Sequence, residues 1–250
     1  MTLSRVYPFV ALAALLGAWQ AFGTLVAAPK WLAPLPSDIA LVLTGRPDIF
    51  TIHSVRTIQE AVLGLAAALV AGVLLAIAMD RHEPTRGAIY PMVVISQTIP
   101  IIAIAPLLVI WLGYGIAPKV VIVALVCFFP ILVGTFDGLR AVDGDLIDML
   151  RAMGANGWQQ FWRVRWPASL PRIFSGARVG VTYGMIGAIV GEWVGASEGL
   201  GVYMLRAVDQ LQTDRVFAAI VVTSALSLIL FQIVALVERV CVPWNRRPGS

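Results

Sequence analysis

Lysine, histidine and cysteine are nearly missing from this 250-residue chain, and each shortage closes off a kind of chemistry. Lys30 and Lys119 are the only lysines, and both follow proline where G-x-x-x-x-G-K-[ST] needs glycine, so the chain cannot hold ATP in a P-loop. Its energy must come from a partner that binds the nucleotide. The histidines are His53 and His82, and Pro84 behind His82-Glu83 prevents the helix of a zincin site. Cys127 lies inside an apolar run and Cys241 past the end of another, so both read as packing residues rather than as a disulfide or metal cluster. One hydrolase pattern does occur, G-x-S-x-G at 195–199, but the nucleophile elbow needs a strand-turn-helix setting and a histidine base. No catalytic group, metal or cofactor is expected.

Charge is scarce as well: 13% of residues are charged against 59% hydrophobic, and mean hydropathy is +0.87. Several apolar runs reach the roughly 20 residues that cross a bilayer, so the chain reads as an all-α polytopic membrane protein with about six spans in lipid. The first is expected at 6–28. Its single leading arginine imitates a signal peptide, but the run exceeds an h-region of about 7–15 residues and reads as a retained span. A proline-rich turn follows at 30–36, then a short helix that Ser37 could cap and that 45–48 closes.

The second span, 57–79, carries Gly64, Ala68, Gly72 and Ala76 every four residues, a stripe that lets another helix approach closely. The third, 87–112, contains Pro91, Pro100 and Pro106 with Ser96, Gln97 and Thr98 between them, and should bend beside a cavity. The fourth, 116–139, contains Pro130. The fifth, 176–194, repeats glycine at 176, 180 and 184 and again at 187, 191, 195 and 199, a seam for close helix contact or dimerisation. Late in it stands Glu192, an ionisable residue that is functional, or solvated, or paired with Arg206. An amphipathic helix at 200–211 precedes the sixth span, 216–237.

Charge sets the orientation. With both termini inside, twelve basic residues (Arg5, 81, 86, 140, 151, 163, 165, 172, 178, 239, 246 and 247) face the cytoplasm. Six (Lys30, Arg46, Arg56, Lys119, Arg206 and Arg215) face outward. That bias accounts for the isoelectric point near 9.4 without nucleic acid.

The region 140–175 is then a cytoplasmic island within one domain of residues 1–250. Residues 145–153 suit a short helix, Gly154 breaks it, and 157–166 suit a second helix ended by Pro167. On that helix Trp158, Phe161, Trp162 and Arg165 fall at i, i+3, i+4 and i+7 and should share one face, with Gln159, Gln160 and Arg163 turned away.

Asp148, Gly154, Val164 and Pro167 resemble the "EAA" signature of permease subunits of binding-protein-dependent ABC importers, with Met149 and Leu150 where that signature has alanines. WLAPLPSDIA, IPIIAIAPLLVIWLGYG and GEWVGASEGLG are similar to the nitrate, taurine and alkanesulfonate subgroup. SQTIPIIAIAP and TYGMIGAIVGEWVGASEGLG look most like permeases for pyrimidine precursors of thiamine.

The resemblance implies a type I ABC importer permease fold in the bacterial inner membrane, paired as a homodimer around one path. It implies two ATPase subunits beneath and a periplasmic or lipid-anchored binding protein above. The island becomes a coupling helix, with Asp148, Gly154, Trp158, Phe161, Trp162, Arg165 and Pro167 as ATPase-coupling residues. Gln97, Thr98, Tyr183, Met185 and Glu192 are the candidates for the translocation path. The expected solute is a pyrimidine precursor of thiamine; nitrate, sulfonate or taurine is the alternative. A secondary transporter would need inverted repeats and paired midplane charges, which the sequence does not display.

Overall fold

The computed structural model describes residues 3–26 and 29–245, without the side chains of residues 3–5, 8 and 245. Ala27, Ala28, Arg246, Arg247 and the side chain of Arg5, all used above, lie outside what is described. Eleven α-helices are described: α1 (Leu3–Val26), α2 (Pro36–Gly45), α3 (Pro47–Arg81), α4 (Glu83–Ser96), α5 (Ile101–Leu112), α6 (Ala117–Arg140), α7 (Gly144–Ala152), α8 (Gly157–Gln160), α9 (Trp166–Trp193), α10 (Leu200–Asp209) and α11 (Thr213–Cys241). No strand occurs among the described residues. Five helical stretches are long and apolar enough to cross a membrane, and α4 with α5 makes a sixth if that pair, bent by 100°, counts as one span.

The centre is a three-helix seam in which α6 packs against α9 on one side and α3 on the other. The small-residue stripe makes it possible. An atom added at the Cβ position of Gly64 would run into Val123, and one at Gly176 into the carbonyl of Pro130, so the backbones touch where glycine stands. Ala68, Val123, Cys127, Ile131 and Ala188 fill the middle of this seam. Cys127 is fully buried, and its thiol donates to the carbonyl of Gly180. Around it α10 and α11 close one end, where Phe50, Leu200, Met204, Ala218 and Ala219 pack together. Helix α1 stands apart, tied by Trp19 against Phe217 and by Gln20, whose amide donates to Ser37 Oγ and accepts from Ser37 N.

Three expectations need revision. Ser37 does not cap α2: the helix starts at Pro36, and Asp38 Oδ2 accepts from Leu35 N while Gln20 occupies Ser37. The third span is broken rather than bent, because Gln97 to Pro100 leave the helix and Pro100 starts α5 on a new axis. Pro167 ends nothing. It sits in the first turn of α9, and residues 161–165 form one wide π turn whose last bond runs from Trp166 N to Phe161 O. Proline has no N–H and its ring crowds the carbonyl four residues back, so the chain widens by one residue and continues from Gly157 to Trp193.

Candidate functional site

The island is built from α7, a turn and α8. Asp143 caps α7 by accepting from Asp145 N, and Asn156 and Gln159 cap α8 reciprocally, each side chain accepting from the other's backbone N–H. Between them Gly154 adopts φ +83° with no atom near its Cβ position, so glycine is required by conformation and not by space. Asp148 is exposed and pairs with Arg151 at 3.0 Å, a contact worth little in water.

The π turn divides the expected face in two. Trp158 and Trp162 stay exposed, at 61% and 46%, with ring centroids 5.4 Å apart. Phe161 is buried, and Arg165 turns into the body, where its guanidinium lies 2.7 Å from Asp80 and also donates to the carbonyl of Leu139. Gln160 is buried as well and donates to Ala155 O. The wide turn rotates the chain ahead of it relative to α9, so the i, i+3, i+4, i+7 set no longer shares one surface. Arg81 lies over the rings of both Trp158 and Phe161, at 5.8 and 5.1 Å, and pins the turn to the end of α3.

A cleft of about 840 Å³ opens between the α4–α5 break, α6 and α9. Gln97, Tyr183, Phe129 and Pro130 line it, and Asp137, Arg140 and Arg172 stand toward the island end. Arg172 donates to the backbone carbonyl of Asp137 at 2.6 Å, which fixes its position. Pro130, which has no N–H to donate along α6, and Val126 one turn before it both line this cleft. Thr98 is exposed at the helix break, with its hydroxyl on Ile95 O. Met185 lies elsewhere, beside a groove between α9 and α11 that Thr182, Ser227 and Phe231 also line.

Glu192 does not line the cleft, and it is neither solvated nor paired with Arg206. It is 1% exposed; Oε1 accepts from the Thr57 hydroxyl at 2.6 Å and Oε2 from Gly201 N at 2.5 Å. Arg206 donates to Ser197 O instead. Around Glu192 the structure gathers groups that sequence reading passed over. Thr57 also accepts from Leu200 N, His53 Nδ1 accepts from Gly199 N, and Lys119, 2% exposed, donates to Gly115 O and Gly195 O. Glu60 is buried 3.4 Å from Arg56 and has no hydrogen-bond partner among the described residues. Ionisable residues inside apolar runs were the available signal.

The comparisons agree with this architecture. The family described as "Binding-protein-dependent transport system inner membrane component" matches residues 68–240. The chain is 37% identical to the formylaminopyrimidine transport permease protein ThiX of Halalkalibacterium halodurans, over 92% of each chain. It is 34% identical to the riboflavin transport system permease protein RibX of Chloroflexus aurantiacus, over 94% of this chain and 89% of that one. It is 30% identical to the taurine transport system permease protein TauC of Escherichia coli, over 94% and 88%. A chain of the inward-facing MetNI methionine ABC transporter shares the fold, with TM-score 0.56 and 21% identity over 78% of this chain and 93% of that one. These sequence matches place the chain in the binding-protein-dependent transport family, as a membrane-spanning permease subunit of an ABC importer.

Proposed function

We propose that two copies of this subunit enclose one translocation path and that two ATPase subunits dock on their islands from the cytoplasm. The observation that carries the docking is the pair of exposed indoles, Trp158 and Trp162, on the island just past the break at Gly154. Large apolar side chains in a polar segment outside the bilayer are stable when a partner covers them. Asp148, Gly154 and Pro167 shape that surface; Phe161 and Arg165 hold it to the body. ATP-driven closure of the ATPase pair pushes the islands together, and the spans convert this into opening on the opposite face. A binding protein there delivers the solute, and both termini lie in the cytoplasm.

The solute we propose is a small pyrimidine precursor of thiamine. Support comes from the similarity to the formylaminopyrimidine permease and from Gln97, Ser175 and Tyr183, neutral amide and hydroxyl groups that line the cleft beside the charged residues of its island end. Arg140 and Arg172 at the island end of the cleft favour a second reading, an anionic sulfonate. Reconstitution with the ATPase and binding protein tests both parts. Hydrolysis should rise with binding protein and aminopyrimidine, and Gly154→Pro and Trp162→Ala should uncouple it while the subunit still inserts. Stimulation by taurine or an alkanesulfonate in place of the pyrimidine moves the assignment to the second reading, and wild-type behaviour of both variants removes the docking proposal.

A further inference from the structure

We propose that α3 is the strut that carries movement of the island to the loop at the opposite end of the molecule, with Asp80 and Arg165 as its inner clamp and His53 and Thr57 as its outer one. This rests on the reading that an ATPase moves the island.

The inner clamp is an ion pair across 85 residues. Asp80 is 3% exposed and Arg165 29%, their atoms are 2.7 Å apart, and the second oxygen of Asp80 has no other partner among the described residues. Arg165 also holds the carbonyl of Leu139, so the π turn is tied at one point to the ends of both α3 and α6. Arg81, the next residue along α3, covers Phe161 on the same turn and Trp158 in α8 just before it. A displacement of the exposed indoles therefore reaches α3 directly through side chains, beside the backbone route into α9, which passes the π turn and Pro171.

The shaft is suited to carry it. Helix α3 runs 35 residues with proline only at its first position, whereas α4, α5, α6 and α9 each contain an internal one. From Asp80 to Thr57 the unbroken helix rises about 35 Å at 1.5 Å per residue. Gly64 and Gly72 press it against the backbone of α6, which resists buckling.

At the other end the same helix grips the loop between α9 and α10. His53 takes Gly199 N at 2.9 Å, Thr57 takes Leu200 N at 3.0 Å, and the Thr57 hydroxyl closes onto buried Glu192 at 2.6 Å. Gly199 sits at φ +132°, a conformation open to glycine and costly for any residue with a side chain. Arg165 and Thr57 are thus positioning residues that act through α3.

Two cysteine reporters test this in the complex with ATPase in lipid nanodiscs. Cys241→Ser removes the exposed thiol, and Cys127 is buried and stays. One reporter is Met153→Cys on the island and the other Ser197→Cys in the loop, both exposed positions. Thiol labelling rates are measured without nucleotide and with ATP and vanadate. Both reporters should respond in the parent. In Asp80→Asn the island response should persist and the loop response be lost, and the swap Asp80→Arg with Arg165→Asp should restore it. Thr57→Val should lose the same loop response from the other end, and carries the test if Asp80→Asn does not assemble. A loop that still responds in Asp80→Asn, or in Thr57→Val, overturns the strut alone. An island reporter indifferent to ATP in the parent overturns the coupling reading and the strut with it.

Discussion

Gly176 and Gly180 stand one turn apart on α9, facing α6, and alanine at the two positions should have opposite effects. A Cβ at Gly176 would lie 2.4 Å from the carbonyl oxygen of Pro130 and 3.2 Å from Ile131 Cα, both backbone atoms of a packed helix that has no side chain to move aside. Ordinary contact begins at 3.4 Å. The helices must therefore part by about 1 Å, and a gap of about 0.5–1 Å already forfeits a quarter to a half of each dispersion contact along the seam. Overpacking of this kind costs about 1–3 kcal/mol. At Gly180 the nearest atoms, Cys127 Cβ and Ile131 Cδ1, lie at 3.5 Å, so a methyl group fits. Removing glycine from a helix interior there should gain up to about 1 kcal/mol. The two variants should differ by about 1–4 kcal/mol in unfolding free energy, measured by denaturant titration of the purified subunit in mixed micelles. Equal stability, or a Gly180→Ala variant weaker than Gly176→Ala, would refute the contact geometry of the α6–α9 seam.

Other perturbations follow from single contacts. Gly154→Ala forces a side chain into the left-handed region at about 1–2 kcal/mol, and should loosen the island without touching the spans, seen as faster proteolysis between α7 and α8 with unchanged insertion. Glu192→Ala strands the Gly201 N–H in a buried site at about 1–3 kcal/mol and leaves the Thr57 hydroxyl only His53 O, 3.1 Å away, so hydrogen exchange at Gly199 to Gly201 should rise sharply; Glu192→Gln should keep most of the protection. Lys30 and Asp38 pair at 2.6 Å; that bond holds the Asp38 carboxyl below the usual range and the Lys30 ammonium above it. The carboxylate's contribution is present above the ordinary aspartate range and lost as pH falls through its lowered value. The ammonium's is present below the ordinary lysine range and lost as pH rises through its raised value. Exchange protection across 29–45 should therefore be level around neutral pH and drop at both extremes, and Lys30→Gln should flatten the profile.

What the sequence made legible was local. Apolar run lengths located the spans, the four-residue repeat of Gly64, Ala68, Gly72 and Ala76 marked the face that α6 covers, and Gly154 marked the break in the island, because each is written within a turn or two of helix. The path of the chain at Pro167 was not legible. A proline can end a helix, start one or be absorbed by a wider turn, and the residues beside Pro167 do not decide among these; the Asp80 that holds Arg165 on that turn stands 85 residues away. The same holds at Pro100, where neighbouring helices decide between a bend and the observed 100° break. Glu192 was noticed for its chemistry, but its partner Thr57 is 135 residues distant, and nothing near Glu192 in sequence predicts the hydroxyl that enclosed it. Asp80, Lys119 and Glu60 were hidden for the same reason: within about a turn of a span's end an ionisable residue, even inside the apolar run, reads as solvated until a neighbouring helix covers it.

The central claim is that the tip of the island is the surface an ATPase holds, and site-specific photocrosslinking tests it most directly. A photoreactive residue is placed at Trp158, at Trp162 or, as a lipid-facing control, at exposed Leu228 of α11, and the subunit is irradiated in membranes of its own host. The account predicts one major protein adduct from positions 158 and 162, identified by mass spectrometry as a P-loop ATPase, and lipid adducts alone from position 228. Lipid adducts from all three positions, or an ATPase adduct from 228 and none from the two tryptophan positions, would contradict it.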